Sequence, residues 1–187
     1  MTPIHDRPLP AGNELVQQLG CVTSTTLTSA DRQALLRLFE RSSPQTRRDR
    51  FHHALSVFPQ TYLEDILAGR QLAIVARDVC HPDIYGEVVG LASAAPVPPQ
   101  GTAEFAVWVD DAWQARGVGT LLTRAIFTEL ARRGLQTAVG IAEEGNIAVR
   151  RLIERVAPGF ALRREEGVLM LAVPLHNWAP AGAPGIT

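Results

Sequence analysis

The sequence predicts an α/β domain built around one mixed sheet. Two observations carry that expectation. Short apolar or β-branched runs alternate with amphipathic helical runs, in the order strand, helices, three strands, helix, strand, helix, strand. No repeat or linker interrupts residues 20–176. Composition agrees: of the 187 residues, 46% are apolar, enough for a packed core. We take residues 14–176 as a single domain. Residues 1–13 hold three prolines and a glycine, and residues 177–187 are rich in Pro, Gly and Ala, so both are expected to lack fixed structure.

The elements follow in order. CVTSTTLT is rich in β-branched residues and reads as a strand. Ser29 then caps ADRQALLRLFER, whose apolar residues fall at 34, 35, 38 and 39, one helical face. SSPQTRRDRFHHAL offers a second N-cap with Pro44 in the first turn. FPQTYLEDILAG is a third short helix, closed by Gly69. QLAIVARD, EVVGLASAA and AEFAVWV are strands, the first of them apolar enough to be covered on both faces. Residues 118–132 form a helix that buries Val118, Leu121, Leu122, Ala125, Ile126 and Leu130 and ends at Gly134. LQTAVGIAE is a strand, GNIAVRRLIERV a helix, and ALRREEGVLMLAVPL a strand pair turning at Glu166-Gly167.

Composition narrows the function. With 18 basic and 19 acidic side chains the formal charge is −1, so no basic field points to nucleic acid. No apolar run nears the ~18 residues of a membrane span, and the first residues hold no signal core. Cys21 and Cys80 fit no metal or disulfide framework and read as free thiols of a reducing compartment. The expectation is a soluble cytoplasmic protein with no metal, nucleic-acid or membrane partner. Oligomeric state is open.

The segment DDAWQARGVGTLLTRAI carries the chemistry. A helix starting near Gly117 presents free N–H groups and the positive end of its dipole. Gly117 and Gly119 lack Cβ, so a bulky anion can lie against the main chain. Arg116 adds a charged donor, and Gln114 can orient the loop. The same glycines also serve a plain turn with close helix–sheet packing. A Walker loop is excluded, because no lysine stands in the required place. A dinucleotide fingerprint would need a third glycine where Leu122 stands, and seven residues separate the strand from Gly117.

The pattern Q-x-x-G-x-G, from Gln114 through Gly117 to Gly119, resembles the acetyl-CoA loop of the GNAT superfamily of N-acyltransferases. A second element agrees: Asn146, the helix IAVRRLIERV and then Gly159-Phe160. The likeness is tight over about residues 100–176 and one of layout before that. SSPQTRRDRF, AEFAVWVDDAWQARGVG and NIAVRRL resemble more narrowly the acetyltransferase domain of bacterial protein-lysine acetyltransferases. The resemblance implies the GNAT fold: a mixed, mostly antiparallel sheet with a splayed pair of central strands and helices on both faces. It implies acetyl-CoA as co-substrate and direct acetyl transfer to an amine, a protein lysine or a small molecule.

Residue by residue, the resemblance implies these roles. Val107 and Val109 lend backbone groups to the pantetheine arm. The amides of Arg116, Gly117, Val118, Gly119 and Thr120 hold the pyrophosphate. Asn146 and Arg150 reach the co-substrate from the second helix. Glu104 is the candidate base, an acid in an apolar strand. Burial beside Phe105, Val107 and Trp108 is expected to raise its pKa. One departure stands out: the tyrosine that protonates the leaving thiolate in many of these enzymes is Ile153 here. A thiol of pKa ~8.5 can leave without that help. The departure keeps a second reading open, a non-catalytic acyl-CoA-binding or sensor domain; a dinucleotide-binding oxidoreductase is the remote third.

Other residues are bland. Arg47, Arg48, Arg50, His52 and His53 read as a solvated helix face, with recognition of an acidic acceptor as the alternative. Cys80-His81 has no partner spacing for a metal or nucleophile. Trp113 is expected to pack the turn and Trp178 to cover the core.

Overall fold

A computed structural model of the chain describes residues 17–53, 55–84, 86–176 and 178. Residues 1–13, expected to lack structure, lie outside the described residues, as does all of 177–187 except Trp178. The elements run β1 (Gln17–Leu19), β2 (Val22–Thr26), α1 (Arg32–Arg41), α2 (Pro44–Phe51), α3 (Gln60–Leu67), β3 (Leu72–Asp78), β4 (Val88–Val97), β5 (Thr102–Val109), α4 (Val118–Arg132), β6 (Thr137–Glu143), α5 (Ile147–Val156), β7 (Ala161–Glu165) and β8 (Val168–Pro174). They form one sheet in the order β1-β2-β3-β4-β5-β6-β8-β7. Every pairing is antiparallel except β5 with β6.

The parallel pair is short. It aligns Thr102, Ala103 and Glu104 with Thr137, Ala138 and Val139, and then the strands part. At the next position the Phe105 ring lies over Gly140, where a Cβ would come within 3.0 Å of it. Phe105 in turn packs edge-on against Phe127 of α4, 4.8 Å between centroids. The absence of a side chain at 140 lets an aromatic ring sit where the strands separate.

Two apolar layers sandwich the sheet. α4 and α5 cover one face, with Phe105, Leu122, Ile126, Phe127 and Ile153 in that core. α1, α2 and α3 cover the other, around Trp108, Phe39 and Phe58. Trp108 is 1% exposed, and its indole N–H donates to the Ser42 hydroxyl at 2.9 Å, so its one polar atom is satisfied. Phe39, Phe51 and Phe58 surround it at 5.8–6.1 Å. Period-two alternation in β5 explains the division: Ala103 and Phe105 face α4 while Trp108 faces α1–α3.

Three expectations are corrected. The first helix is not capped by Ser29. Ser29 opens a short 3-10 turn instead, capped by Thr28, whose N–H and hydroxyl both donate to the Asp31 carboxylate, and α1 follows from Asp31. The edge strand β1 was not foreseen; three residues pairing with β2 across a tight turn leave little pattern to read. Cys21 and Cys80 are not free thiols but form a disulfide. Pairing of Val22 with Asp78 brings the two strand ends together, and Val79 N–H donates to Cys21 carbonyl at 2.9 Å. Cys21 and Cys80 lie 59 positions apart, so no local pattern announced it. The argument from cysteine usage for a reducing compartment therefore falls away. No helix among the described residues is long and apolar enough to cross a membrane.

α2 is set by its N-terminus. Ser43 is its cap and Pro44 opens the first turn, as the sequence suggested. The Asp111 carboxylate, from the turn after β5, accepts from Ser43 N–H, Ser43 hydroxyl and Thr46 hydroxyl, each at 2.8 Å. Partial burial pushes the Asp111 carboxyl up, but these donors outweigh it and hold its pKa below the ordinary value. Because the folded pKa lies below the unfolded one, the contribution is complete above about pH 4 and lost as pH falls through the folded value. Asp111→Asn should therefore be less stable than the parent at neutral pH, with the gap closing below about pH 4. Denaturant melts of both proteins from pH 7 down to pH 2 check this; a gap independent of pH would contradict it.

Candidate active site

Where β5 and β6 part, the sheet opens into a cleft of about 430 Å³. Val107, Val109, Gly117, Gly119 and Asn146 contribute to its walls, with Thr46 and Arg50 of α2 at the opposite side. A shallower hollow of about 390 Å³ beneath Trp178 lies at the far end of α4, away from the parted strands. The cleft thus runs through the sheet, from the α4/α5 face to the α1–α3 face.

The strand edge is free along the cleft. Asp110 N–H donates to Val89 carbonyl on β4 at 3.0 Å. By the period of two, the main-chain groups of Phe105, Val107 and Val109 point the other way, into the gap. The Val109 carbonyl accepts from the Gln114 amide at 3.2 Å. The same amide donates to Thr46 hydroxyl at 3.1 Å. Gln114 therefore braces the end of β5 against α2, while its side chain also lines the cleft.

The turn from β5 into α4 is built from local chemistry. The Asp110 carboxylate caps Ala112 N–H at 3.0 Å, and Arg41 donates to it from α1 at 2.9 Å. Trp113 is 9% exposed and packs the turn. Ala115 and Gly117 take left-handed conformations, φ 57° and 88°. Gly117 is required by its φ, which disfavours any side chain; a Cβ would also meet Leu19 Cδ2 at 2.7 Å, the tip of an exposed side chain that can move aside. Gly119 differs, since a Cβ there would only touch Leu152 at 3.6 Å. Its lack of side chain answers no demand of the empty fold and leaves room above the first turn. No side chain caps α4. The N–H groups of Val118, Gly119 and Thr120 are thus left for another acceptor.

The sequence-derived residues do not all converge. Val107, Val109, Gln114, Gly117, Gly119, Thr120 and Asn146 line the cleft. Val118 is 1% exposed with its side chain in the core, so only its amide is on offer. Arg116 stacks on the Trp113 ring, 5.5 Å to the centroid, outside the cleft wall. Arg150 pairs with Glu154 at 2.8 Å along α5; Arg151 and Arg155 are the α5 cations that reach the cleft. The helical period explains the misplacement, because Arg151 and Arg155 share a face that Arg150 does not. Asn146 spends its carbonyl on capping α5 through Val149 N–H at 3.0 Å, which leaves its NH₂ group.

Glu104 departs from expectation in its surroundings. It is exposed, not buried. Alternation turns it away from Phe105 and Val107, and it stands opposite Ala95 and Val139 at the last position before the strands part. The apolar neighbours invoked for it lie on the other face or beyond. Ile153 is fully buried, so α5 presents no acid at that place.

The structure adds Thr46, which sequence reasoning passed over, and separates Arg50 from the basic residues that were read together as a solvated face. Arg47 turns from the cleft: it stacks on Phe39 and donates to the Phe39 and Glu40 carbonyls. Arg50 turns towards it and donates to the Ser93 hydroxyl at 3.1 Å, which also accepts from Tyr62 at 3.0 Å. Thr46 and Arg50 stand four apart on α2, a signal present in the sequence but hidden within a run of five basic residues.

The sequence matches the acetyltransferase (GNAT) family over residues 32–157. The chain belongs to that family. No curated protein matches this GNAT chain. Solved structures do. The GNAT domain of S. lividans PAT superimposes with a TM-score of 0.72 at 20% identity, covering 89% of this chain and 99% of that one. The putative acetyltransferase yncA from Salmonella typhimurium, solved with acetyl-CoA, gives 0.66 at 20% identity over 88% and 100%. The ribosomal-protein-S5-alanine acetyltransferase from Vibrio fischeri gives 0.69 at 12% identity over 89% and 100%. At these identities the likeness is one of fold.

Gly119→Glu tests the cradle. A carboxylate at the α4 N-terminus would repel a pyrophosphate, while a Cβ at 119 makes only ordinary contact with Leu152 and Val109, so the fold persists. CoA affinity by calorimetry should fall at least about tenfold with the melting temperature little changed. Unaltered affinity in a folded variant would remove the cradle.

Proposed function

We propose that this protein transfers the acetyl group of acetyl-CoA directly to an amine. The observation that carries the reading is the parted β5/β6 pair with an uncapped helix N-terminus at its mouth. The residues present fit the co-substrate. Val107 and the N–H of Val109 offer strand groups that face the gap to the pantetheine amides. The amides of Val118, Gly119 and Thr120 and the positive end of α4 suit a pyrophosphate. Arg151 and Arg155 bring positive charge to the same wall, and Asn146 can donate from α5.

The chemistry is balanced without further reagents. The amine nitrogen attacks the thioester carbonyl; a C–N bond forms as the C–S bond breaks, and the thiolate leaves with the bonding pair. One amine proton must be taken up. We assign that role to Glu104, on the α1–α3 side of the parting, acting directly or through water. The main-chain N–H groups of β5 facing the gap supply donors for the developing oxyanion. A thiolate of pKa ~8.5 needs no acid near neutral pH.

A second reading keeps the binding and drops the turnover: an acyl-CoA-binding or sensor domain. Buried Ile153 favours it, since α5 presents no proton donor there. Thiol release from acetyl-CoA with a panel of amines separates the two.

Glu104→Gln keeps the shape of the side chain and removes its basicity. Turnover should fall roughly 10²–10⁴-fold, with acetyl-CoA affinity nearly unchanged. The deficit should shrink as pH rises, because more of the amine then arrives unprotonated. A wild-type rate from pH 6 to 9 would assign the proton to water or to the amine's own ionisation.

A further inference from the structure

Arg50 has no acidic partner among the described residues. Its guanidinium lies against the Phe51 and Tyr62 rings, 4.8 and 4.7 Å to the centroids. One nitrogen donates to Ser93 hydroxyl. Its Nε is buried and has no hydrogen-bond partner. A buried donor left unmade is costly, more so when charged, so such a group calls for an explanation. Neighbouring Asp49 lines the cleft as well, but its carboxylate accepts from the Gln45 amide and pairs with no cation.

We infer that Arg50 binds a carboxylate of the acceptor, which makes the acceptor a small amino acid rather than a plain amine. The inference rests on the acetyl-transfer reading and adds the chemistry of the second substrate. Three features carry it. A guanidinium held against two aromatic rings and pinned by one hydroxyl is pre-organised for a planar oxyanion. Arg50 lies on the α2 wall of the cleft, opposite the α4 amides. And Ser93, its anchor, pairs with Ala106, while Ala95 pairs with Glu104 on the same face. The anchor of Arg50 and the base therefore face the same side of the sheet, two register positions apart on neighbouring strands. A molecule carrying both an amine and a carboxylate can address the two groups from that side. Phe51 and Tyr62 flank the guanidinium and hold its plane in place for a carboxylate.

The test compares acceptors that differ only in the charge Arg50 would read. Thiol release is measured for the parent, Arg50→Gln and Arg50→Lys with each free amino acid and its carboxamide. A diamine and a neutral lysine-containing peptide complete the panel. The parent should prefer at least one free acid over its carboxamide by about 10–100-fold in kcat/KM, the usual worth of a charge-assisted hydrogen bond. Arg50→Gln should abolish that preference and Arg50→Lys should keep part of it. The ratio is the readout, so a general loss of activity cannot imitate the result. Preference for carboxamide, diamine or peptide in the parent overturns the inference while transfer itself stands. An acid preference that survives Arg50→Gln in a folded protein overturns it too. Turnover of none of these amines contradicts the transfer reading, and the inference falls with it.

Discussion

The early end of the β5–β6 pairing is the constraint on which the rest depends. A parallel pair normally continues until a strand runs out. Here it stops after Glu104 and Val139, although both strands go on. The Phe105 ring over Gly140 occupies the point of divergence, and the Gln114 brace holds the β5 end towards α2. The cleft, the free main-chain groups and the access of α2 side chains to the α4 N-terminus all follow from that separation. Filled sheet edges on both sides would have left α4 as an ordinary crossover helix.

Charge and hydrogen bonding then fix what surrounds the opening. Asp110 and Asp111, adjacent in the turn, divide the work: Asp110 holds α1 through Arg41 and caps the turn, while Asp111 holds the start of α2. On the outer side, Leu19 lies against Gly117 and His81 packs edge-on to Trp113 at 5.7 Å. The disulfide joins the segments that carry those two residues. The loop that would meet a pyrophosphate is thus backed by a covalently linked pair of turns.

Much of this was legible in the sequence. The strand and helix order, Pro44 and its Ser43 cap, and the glycine turn into α4 are local signals, and local signals survive folding. What failed was long-range or rotational. The disulfide joins residues that only strand pairing brings together. Arg150 in place of Arg151 and Arg155 is an error of one residue on a helix, enough to turn a side chain away from the cleft. Burial of Glu104 was inferred from sequence neighbours of which alternation places Phe105 and Val107 on the other face, while Trp108 lies four residues further along the strand. Arg50 was masked by the charges around it, four of which serve solvent or the packing of α2.

The central claim is that the parted strands and the α4 N-terminus together form a CoA site. An amide-resolved NMR titration of the full chain with CoA, with NAD⁺ as the control ligand, tests it most directly. The account expects saturable shifts at the N–H groups of Val107, Val109, Val118, Gly119 and Thr120 with CoA alone, while Asp110, whose N–H is bonded to β4, moves least. Shifts with NAD⁺ at those groups and none with CoA, or CoA shifts confined to other parts of the sheet, would contradict it.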